Sequence, residues 1–523
     1  MKKSIISLVL LYFLFFNSVN LANANDEYKE QLKTLKKELK STKIENNGVN
    51  KNYLDKQQEI YILQLENHKY NASTKTSKEI VDITKKLYGE NSQALAQTLL
   101  QQTYLFLDIK EPKGAKKTLN ELEIIVENIE DKEIVKRYHK ALFDFYSTFE
   151  SPFKAKETLE ILLKEKNMTR KEKLEYLNLL IMSSHGSYNV EDTKKYLDDY
   201  YSLNIKLYGE DNKTLIDYYR KLLNFKLIVQ CDYPNFVPVY EKLMELTEKY
   251  GNQREQQLQN NLLLVDFYIK TNSLEKAKAE LDKIKEDIET TNNYYLKYPL
   301  NFHYLTYYTF KNDKKNQKIY KNKLADLNKE FNKERVVSNV YFNERLVDYY
   351  KFQDNYRQAQ TVSNNIIELL EEYKEEIPVV YGKFLKNNAL IKRDIGDFDG
   401  ALNHLYKSEK SYLKELPEIS YPIYETTIEF AILHMLYSRY YEAIPYYKKA
   451  KTICLKMFGR NHRDTLKVCE NMANNYFYAG MKEEAIKELD EAILIAINLF
   501  GEDNPKTKEL KTKKEMFLNK KTA

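Results

Sequence analysis

The feature that most constrains this chain is a repeat with a period of 42 residues in its C-terminal half. Four alanines mark the repeat, and each stands 42 residues from the next: Ala359, Ala401, Ala443 and Ala485. A period of roughly 20–50 residues is typical of an array of small supersecondary units, and not of one globular core. The chain is therefore expected to stack similar units side by side along its length.

Each unit has the pattern of two helices joined by a tight turn. Leu405 and Ser408 follow Ala401 at four and seven residues, a spacing that puts all three on one helical face. Gly396 and Gly480 lie five residues before a repeat alanine, where the chain must reverse. Composition agrees with this interpretation, because 12 Gly and 10 Pro in 523 residues leave few turns for a sheet-rich fold.

The connections between units carry a second marker. In the last connection, Gly501 is predicted to end one helix in a left-handed cap, Asn504 to cap the next helix, and Pro505 to occupy its first turn. Similar glycines recur along the chain at the ends of units, at Gly89, Gly209, Gly251 and Gly459.

These residues resemble the tetratricopeptide family, in the 42-residue form of kinesin light chains, and residues 469–505 match that pattern best. The resemblance implies an all-α, helical-hairpin solenoid that winds as a right-handed superhelix. HEAT-type repeats have similar lengths, but they would not explain the positions of alanine, glycine and tyrosine. With the resemblance as a guide, earlier units are phased on Ala115, Ala155 and Ala277 and, more weakly, near Thr193, Phe236 and Lys318.

The N-terminus has the pattern of a signal peptide. Lys2 and Lys3 precede an apolar run over residues 5–16, and the small-x-small sequence Ala22-Asn23-Ala24 follows. An uncleaved anchor is the alternative, but this run is short against the roughly 20 residues that span a bilayer. We therefore expect a periplasmic or secreted mature chain with no integral membrane span. The predicted organisation is a signal peptide over 1–24, a helical or linker segment over 25–58, about ten repeats over 59–514, clearest in 336–514, and a basic tail over 515–523.

Stacked hairpins are expected to form an elongated spiral whose first helices line a concave groove. The family resemblance implies that the groove positions lie 18, 15, 11 and 8 residues before the repeat alanine. In one unit three of these are cations that could face an acidic partner segment, although an ordinary solvated helix face is the alternative in a chain with 31% charged residues. The candidate groove residues are Lys383, Lys386 and Arg393, and in the last unit Lys467, Glu470, Asn474 and Phe477.

The predicted function is that of a non-enzymatic scaffold or adaptor outside the cytoplasm, which binds a protein or peptide in this groove. The alternatives are a sensor of envelope carbohydrate or lipid on the same solenoid, and an enzyme with its site in the weakly repetitive region near residues 290–335. No GxSxG, HExxH or GxxxxGK[ST] motif occurs, and the seven histidines show no ligand pairing, so no catalytic residue, metal site or cofactor is predicted. The formal charge of +6 gives no general attraction to nucleic acid.

Three cysteines are too few for a disulfide scaffold, and they lack the spacing of zinc or redox motifs. Cys231, Cys454 and Cys469 can all be small core residues. In an oxidising compartment a bridge between Cys454 and Cys469 is also possible, because the two fall on successive helices that should pack together.

Overall fold

The computed structural model describes residues 21–45, 50–149, 151–164, 168–186, 188–251, 254–333 and 339–519. These residues form 24 α-helices and no β-strand, so the predicted all-α class is confirmed. Most of the predicted signal peptide (1–20) and the end of the predicted tail (520–523) lie outside the described residues. The chain divides into two compact units, unit 1 over Met1–Ala141 and unit 2 over Leu142–Ala523.

The helices in chain order are α1 (Leu21–Glu45), α2 (Lys51–Glu66), α3 (Tyr70–Tyr88), α4 (Gln93–Asp108), α5 (Pro112–Val126), α6 (Lys132–Thr148), α7 (Pro152–Leu163), α8 (Arg170–Gly186), α9 (Val190–Tyr208), α10 (Leu215–Asn224), α11 (Phe236–Tyr250), α12 (Arg254–Lys270), α13 (Leu274–Thr290), α14 (Tyr294–Phe310), α15 (Lys314–Lys333), α16 (Asn339–Phe352), α17 (Tyr356–Glu371), α18 (Pro378–Asp394), α19 (Phe398–Tyr412), α20 (Tyr421–Leu436), α21 (Tyr440–Phe458), α22 (Arg463–Tyr478), α23 (Lys482–Phe500) and α24 (Pro505–Asn519).

Consecutive helices pack in pairs, which confirms the predicted array of tetratricopeptide-type hairpins. In the described chain ten such pairs are in extensive contact: α2–α3 and α4–α5 in unit 1, and each pair from α8–α9 to α22–α23 in unit 2. Residues 294–333, within the region where an enzyme site was the alternative, form the hairpin α14–α15. The weakly repetitive region therefore continues the array.

The repeat position is the fourth residue of the second helix in the alanine-marked hairpins, and all four C-terminal alanines there are at most 1% exposed. Thr193 takes the same place in its hairpin, and Phe236, the first residue of α11, stands at the same distance of five residues from its turn residue; both are fully buried. In α15 the equivalent residue is the half-buried Gln317. Lys318, near which the sequence placed this repeat position, is exposed and lies one residue further along. Ser73 of α3, 42 residues before Ala115, is also fully buried, so α2–α3 is a repeat that the alanine criterion missed.

The turn between the two helices is similar in all ten hairpins. The residue five positions before the repeat position has a positive φ, between 52° and 86°. In nine of them the next N–H bonds back to a carbonyl five residues earlier, as Asp397 N does to Lys392 O at 2.8 Å, which makes the turn a Schellman motif. In the tenth, Asp232 N bonds to Lys226 O, six residues earlier. Gly396 and Gly480 occupy this turn as predicted, whereas the other eight hairpins place a residue with a side chain there, such as Asp354.

Asp397 shows how such a turn starts the second helix. Its carboxylate accepts a hydrogen bond from Gly400 N at 2.9 Å and pairs with Lys392 Nζ at 2.9 Å. Lys392 first, and then the Gly400 N–H, hold the pKa of Asp397 below its usual value. We expect Asp397→Ala to lower the free energy of unfolding by about 1 kcal/mol at neutral pH, measured by urea denaturation, because the N-cap of α19 is lost.

The pH dependence has a definite sign. A carboxyl group with a lowered folded pKa stabilises the fold above its unfolded pKa, and that contribution is lost as the pH falls through the folded pKa. The difference between wild type and Asp397→Ala should therefore shrink below about pH 4. Asp399→Ala, at an exposed acid two residues further along, is the matched control and should stay within about 0.5 kcal/mol of wild type. Equal losses in the two variants would contradict the capping role of Asp397.

The connections between hairpins follow the predicted pattern at four of five glycines. Gly89, Gly209, Gly459 and Gly501 end their helices with φ between 78° and 90°, and Asn504 caps α24 by accepting a bond from Lys506 N at 2.9 Å. The fifth, Gly251, has a φ of −88°. Position 251 nevertheless requires glycine, because an added Cβ would lie 2.5 Å from Thr247 O.

Unit 2 also has contacts that an elongated spiral would not predict. Hairpin turns in its first half rest on connections in its second half. Tyr188 stacks on Tyr421 at 3.8 Å, and Asn504 Nδ2 donates to Thr271 O at 2.8 Å; the partners in both contacts are 233 residues apart. Further contacts of this kind join Ser151 and Lys154 with Glu415, at 3.0 and 2.6 Å, and Tyr233 with Phe500, at 5.6 Å between ring centroids.

These contacts join two stretches of the array into one core. Buried residues from Phe143 to Phe267 and from Val379 to Phe517 form a continuous apolar cluster. The repeat therefore buries surface in two ways, between neighbouring hairpins and between stretches of the array that lie far apart in sequence.

Candidate binding face of unit 2

The groove positions inferred from the sequence lie on the first helices of successive hairpins, which we call the first-helix face: α16, α18, α20 and α22, followed by α24. Residues of α18 and α20 are in direct contact, so the first helices are neighbours. The face can therefore present one row of side chains along the array.

The three predicted cations of α18 are each paired with an acid of a neighbouring first helix. Lys383 Nζ lies 3.5 Å from Glu344 of α16, and Lys386 Nζ lies 2.6 Å from Glu425 of α20. Arg393 Nη1 lies 2.5 Å from Glu429 of α20, while Nη2 contacts Asp394 at 3.0 Å. The cations are thus part of a charge ladder, Glu344, Lys383, Lys386, Glu425, Arg393 and Glu429, and do not form a positive patch.

The last unit extends this arrangement. Glu470 accepts bonds from Lys506 at 2.9 Å and from Lys513 at 2.5 Å, both on α24. Burial acts to raise the pKa of Glu470, but the two lysines outweigh it and the pKa is lowered. Asn474 is half-buried on the same helix, whereas Lys467 is exposed and makes no ion pair with the described residues. Lys467 is therefore the predicted groove cation most accessible to a ligand.

Phe477 contributes to packing between helices. Its ring stacks on Phe517 of α24 at 3.9 Å, with 14° between the ring planes. Because α24 lies beside α22 where a further first helix would follow, one face of the Phe477 ring is covered by the last helix.

Charged side chains from distant hairpins meet near α22. Burial raises the pKa of Asp464, against the opposing effect of Lys467, Arg463 and Lys270, and Lys270 belongs to α12. Lys270 Nζ also lies 3.6 Å from Asp266. Burial lowers the pKa of His303 of α14, and the negative charge of Asp266 acts in the opposite direction. We call Asp266, Lys270, His303, Asp464 and Lys467 the interior cluster.

Sequence reasoning missed most of this cluster, since its members lie about 200 residues apart and only Lys467 fell on a predicted groove position. The acidic residues of the charge ladder could have been predicted from the sequence more readily. Glu425 and Glu429 follow their cations at 39 and 36 residues, close to the repeat period, which is the signal that could have identified them.

A cavity of about 110 Å³ opens on the same face between α16, α17 and α18. Val347, Ile366 and Phe384 supply apolar lining, and Asp348 and Asn387 supply polar lining. Its volume is well below the roughly 300–1,000 Å³ of small-molecule sites, so it has room for no more than a small group such as one side chain. The cavity adjoins the charge ladder through Glu344, which lines it as well.

Three further features considered from the sequence are a disulfide, a metal site and a membrane span. All three cysteines are buried free thiols in the structure, so the possible bridge between Cys454 and Cys469 is not formed there. Among the described residues no group of three or more His, Cys, Asp or Glu could hold a metal ion. No helix in the described ranges is long and apolar enough to cross a membrane.

Comparison with known proteins gives only distant similarities. No protein-family model matches the chain, and no curated protein matches it. Among solved structures, a Rap protein complexed with competence and sporulation factor is 12% identical, with 77% of this chain and 98% of that chain covered and a TM-score of 0.39. NprR in complex with its cognate peptide NprX is 14% identical, with the same coverages and a TM-score of 0.35. The APC/C hetero-tetramer Cut9-Hcn1 is 13% identical over 94% of each chain, with a TM-score of 0.33.

Proposed function

We propose that unit 2 binds an extended polypeptide, either a peptide or a segment of a partner protein, on its first-helix face. The observation that carries this proposal is the interior cluster on α12, α14 and α22. In it Lys467 and Lys270 oppose the rise in the pKa of Asp464, and Asp266 opposes the fall in the pKa of His303.

Packing alone does not account for these charges. A partly buried charge costs free energy unless it is paired and hydrogen-bonded, and Asp464 makes no ion pair with a lysine or arginine among the described residues. The carboxylate of Asp464 instead remains 23% exposed, 3.8 Å from the neutral ring of His462. A polypeptide can satisfy such a mixed surface, because it offers both signs of charge together with backbone donors and acceptors.

The charge ladder has a supporting role in this proposal. Its cations already have acidic partners, and Lys386 is only 12% exposed, so it fixes the spacing of the first helices. Lys467 and Asp464 are then the side chains that meet the ligand, and the cavity beside Glu344 accepts one ligand side chain. In this proposal the role of unit 2 is binding without catalysis.

The test is site-specific photo-crosslinking in the native host. A photo-reactive amino acid at position 467 is expected to capture a discrete polypeptide, whereas the same residue at position 487 is expected to capture none. Lys487 is an exposed lysine on the second helix α23, so it is the matched control. The captured polypeptide is then synthesised, and its affinity is measured by calorimetry.

Lys467→Glu should weaken that affinity at least about tenfold, whereas Lys487→Glu should leave it unchanged. Lys386→Glu should impair folding as well as binding, and the charge swap Lys386→Glu with Glu425→Lys should restore the fold. Equal crosslinking from positions 467 and 487, or equal affinities of the two single lysine variants, would remove the first-helix face as the binding site.

We further propose that the repeats are of the kinesin light chain type and that the protein acts outside the cytoplasm. The support is the 42-residue spacing and the N-terminal order of two lysines, an apolar run and a small-x-small sequence. Mass spectrometry of the chain from its native host tests the location, since a first residue at or near Asn25 is expected.

A further inference from the structure

His462 lies at the contact between the two halves of unit 2, among aromatic side chains that belong to both halves. From the first half, the Tyr188 ring stacks on Tyr421 at 3.8 Å and lies 6.1 Å from Phe458, between ring centroids. Phe458 stacks in turn on His462 at 4.1 Å, and the His462 side chain is 1% exposed. We call Tyr188, Tyr421, Phe458 and His462 the junction.

The geometry of His462 requires a neutral imidazole ring. Its Nδ1 accepts a hydrogen bond from Asp464 N at 3.1 Å, which caps α22 and leaves the ring proton on Nε2. The backbone carbonyls of Ile228 and Val229, which belong to the first half, also act on the ring. A second ring proton would remove the acceptor from Asp464 N and would place a cation between the two halves.

The charges on α22 do not favour that cation. The positive charge of Arg463 adds to the effect of burial in lowering the pKa of His462. Asp464 lies 3.8 Å from Nδ1, but burial raises its pKa, and its negative charge already faces the cations Lys467, Arg463 and Lys270. Asp464 therefore loses its charge at a higher pH than an ordinary carboxyl group and is a poor partner for a protonated His462.

The groups that face α22 do not favour the cation either. The facing turn, between α10 and α11, carries one acid, Asp232, which is paired with Lys226 at 2.5 Å. On α12, Asp266 lies 3.6 Å from Lys270. The tyrosine and cysteine side chains near this contact stay uncharged below pH 7, because burial raises the pKa of each: Tyr188, Tyr233, Tyr421, Tyr424, Cys231 and Cys454.

The two halves can separate without unfolding their hairpins. In a repeat array each hairpin is stabilised mainly by its neighbours in sequence, and α22 packs against α21 and α23 within the second half. In the same way α12 packs against α13 within the first half. Separation of the halves therefore breaks only the contacts between them, and His462 is buried within those contacts.

We propose that the junction is an acid-sensitive contact: protonation of His462 separates the two halves of unit 2 while the hairpins of each half stay folded. Separation divides the interior cluster, because α12 and α14 carry part of it in the first half and α22 carries the rest in the second. Unit 2 would then release a bound polypeptide on acidification. This consequence rests on the proposed function, whereas the separation itself does not.

The expected size of the effect follows from the two protonation equilibria. In the closed form burial lowers the pKa of His462 to about 4, whereas an exposed histidine takes up its proton near pH 6.5. From pH 7 to pH 5 the ratio of open to closed chains should therefore rise about twentyfold. Below about pH 4 the rise should level off, because both forms are then protonated.

The native thiols test this proposal in the full-length chain. Cys231 is 4% exposed and lies on the facing turn, where the Arg463 backbone bonds to its thiol, so separation of the halves would expose it. Cys469 is fully buried on α22 near Lys451 of α21 and Glu488 of α23, within the second half, and is the internal control. Each thiol is labelled with a dipyridyl disulfide, and its rate is divided by the rate in the urea-unfolded chain at the same pH.

The corrected rate at Cys231 should rise about twentyfold from pH 7 to pH 5, whereas the rate at Cys469 should not follow it. Parallel increases at the two thiols would overturn the proposal, because they would show that the whole unit unfolds. An unchanged rate at Cys231 would overturn it as well. The measurement uses the chain alone, so its outcome does not depend on whether the first-helix face binds a polypeptide.

His462→Asn identifies the group responsible. Asparagine can cap α22 but does not titrate, so the rise at Cys231 should fall to less than about threefold. His404→Asn is the matched control, because burial also lowers the pKa of His404 to about 4, but His404 lies on α19 outside the junction, and the full rise should remain. Loss of the rise in His404→Asn, or its persistence in a helical His462→Asn, would assign the effect to another group. If His462→Asn does not fold, the comparison of Cys231 with Cys469 in wild type still decides the proposal.

Discussion

Replacing Phe236 by alanine is expected to lower the free energy of unfolding by about 3–5 kcal/mol, the range for removing a buried aromatic side chain. Phe236 occupies a repeat position where the C-terminal hairpins have alanine, and it is fully buried. Its ring stacks on Phe267 at 4.3 Å with 2° between the planes, and on Tyr240 at 6.3 Å. Alanine at position 236 would match the other repeat positions, but we expect it to give a less stable protein than phenylalanine does.

The reason is the irregular first helix of this hairpin. α10 is only 10 residues long and continues into a π-helical turn over Phe225–Val229, and the Phe236 ring packs against Phe267 and Tyr240 in this irregular hairpin. Alanine at position 236 would leave a cavity in place of the ring. A urea titration measures the loss as a lower midpoint at an unchanged slope.

Val237→Ala is the matched control for Phe236→Ala. Val237 is the next residue, it is 40% exposed, and its truncation should change the free energy of unfolding by no more than about 0.5 kcal/mol. Equal stabilities of Phe236→Ala and Val237→Ala would contradict this prediction, because they would show that the hairpin repacks around alanine without leaving a cavity.

The 42-residue period predicted the hairpins because it reports on packing between adjacent helices. A small residue is needed where two helices touch, and alanine supplies it in most units. Ser73 and Thr193 satisfy the same requirement, with side-chain hydroxyls that bond to the carbonyls of Lys69 and Asn189 within their own helices. A search for alanine therefore finds most repeats but misses those that are small and polar.

The turns were less predictable from glycine. A left-handed residue is required in each described hairpin turn, yet Lys110, Tyr188 and Cys231 adopt that conformation at φ 54–56°. Tertiary contacts compensate for the strain where a side chain is useful, as with the Tyr188 ring on Tyr421.

The candidate site was predictable only in part. The family spacing placed Lys383, Lys386 and Arg393 on the first-helix face, but a single unit could not reveal that acids one repeat away neutralise them. The interior cluster depends on the electrostatic effect of Lys270 of α12 on Asp464 of α22, helices that begin more than 200 residues apart, and no local pattern encodes such an effect.

Acidification is expected to weaken unit 2 through His462, which lies where the two halves of the unit meet. The side chain is 1% exposed and stacks on Phe458 at 4.1 Å, and burial lowers its pKa to about 4, which outweighs the opposing backbone carbonyls of Ile228 and Val229. The unfolded chain takes up this proton near pH 6.5, whereas the folded chain does not do so until about pH 4. Within that window the unfolded state binds more protons, so stability falls as the pH falls.

From pH 7 to pH 5 this histidine alone should cost about 2 kcal/mol of unfolding free energy. His462→Asn is the test, because asparagine can still cap α22 as His462 Nδ1 does, by accepting from Asp464 N at 3.1 Å, but it does not titrate. The variant should be less stable than wild type at pH 7, where it lacks the stacking on Phe458, and should lose less stability than wild type on going to pH 5. His404, whose pKa burial also lowers to about 4, stays in both proteins, so the difference between the two urea titrations isolates His462. Parallel losses in the two proteins would mean that the pKa of His462 is the same in the folded and unfolded chains, and the contact between the two halves of unit 2 would then have to accommodate a buried cation below about pH 6.5.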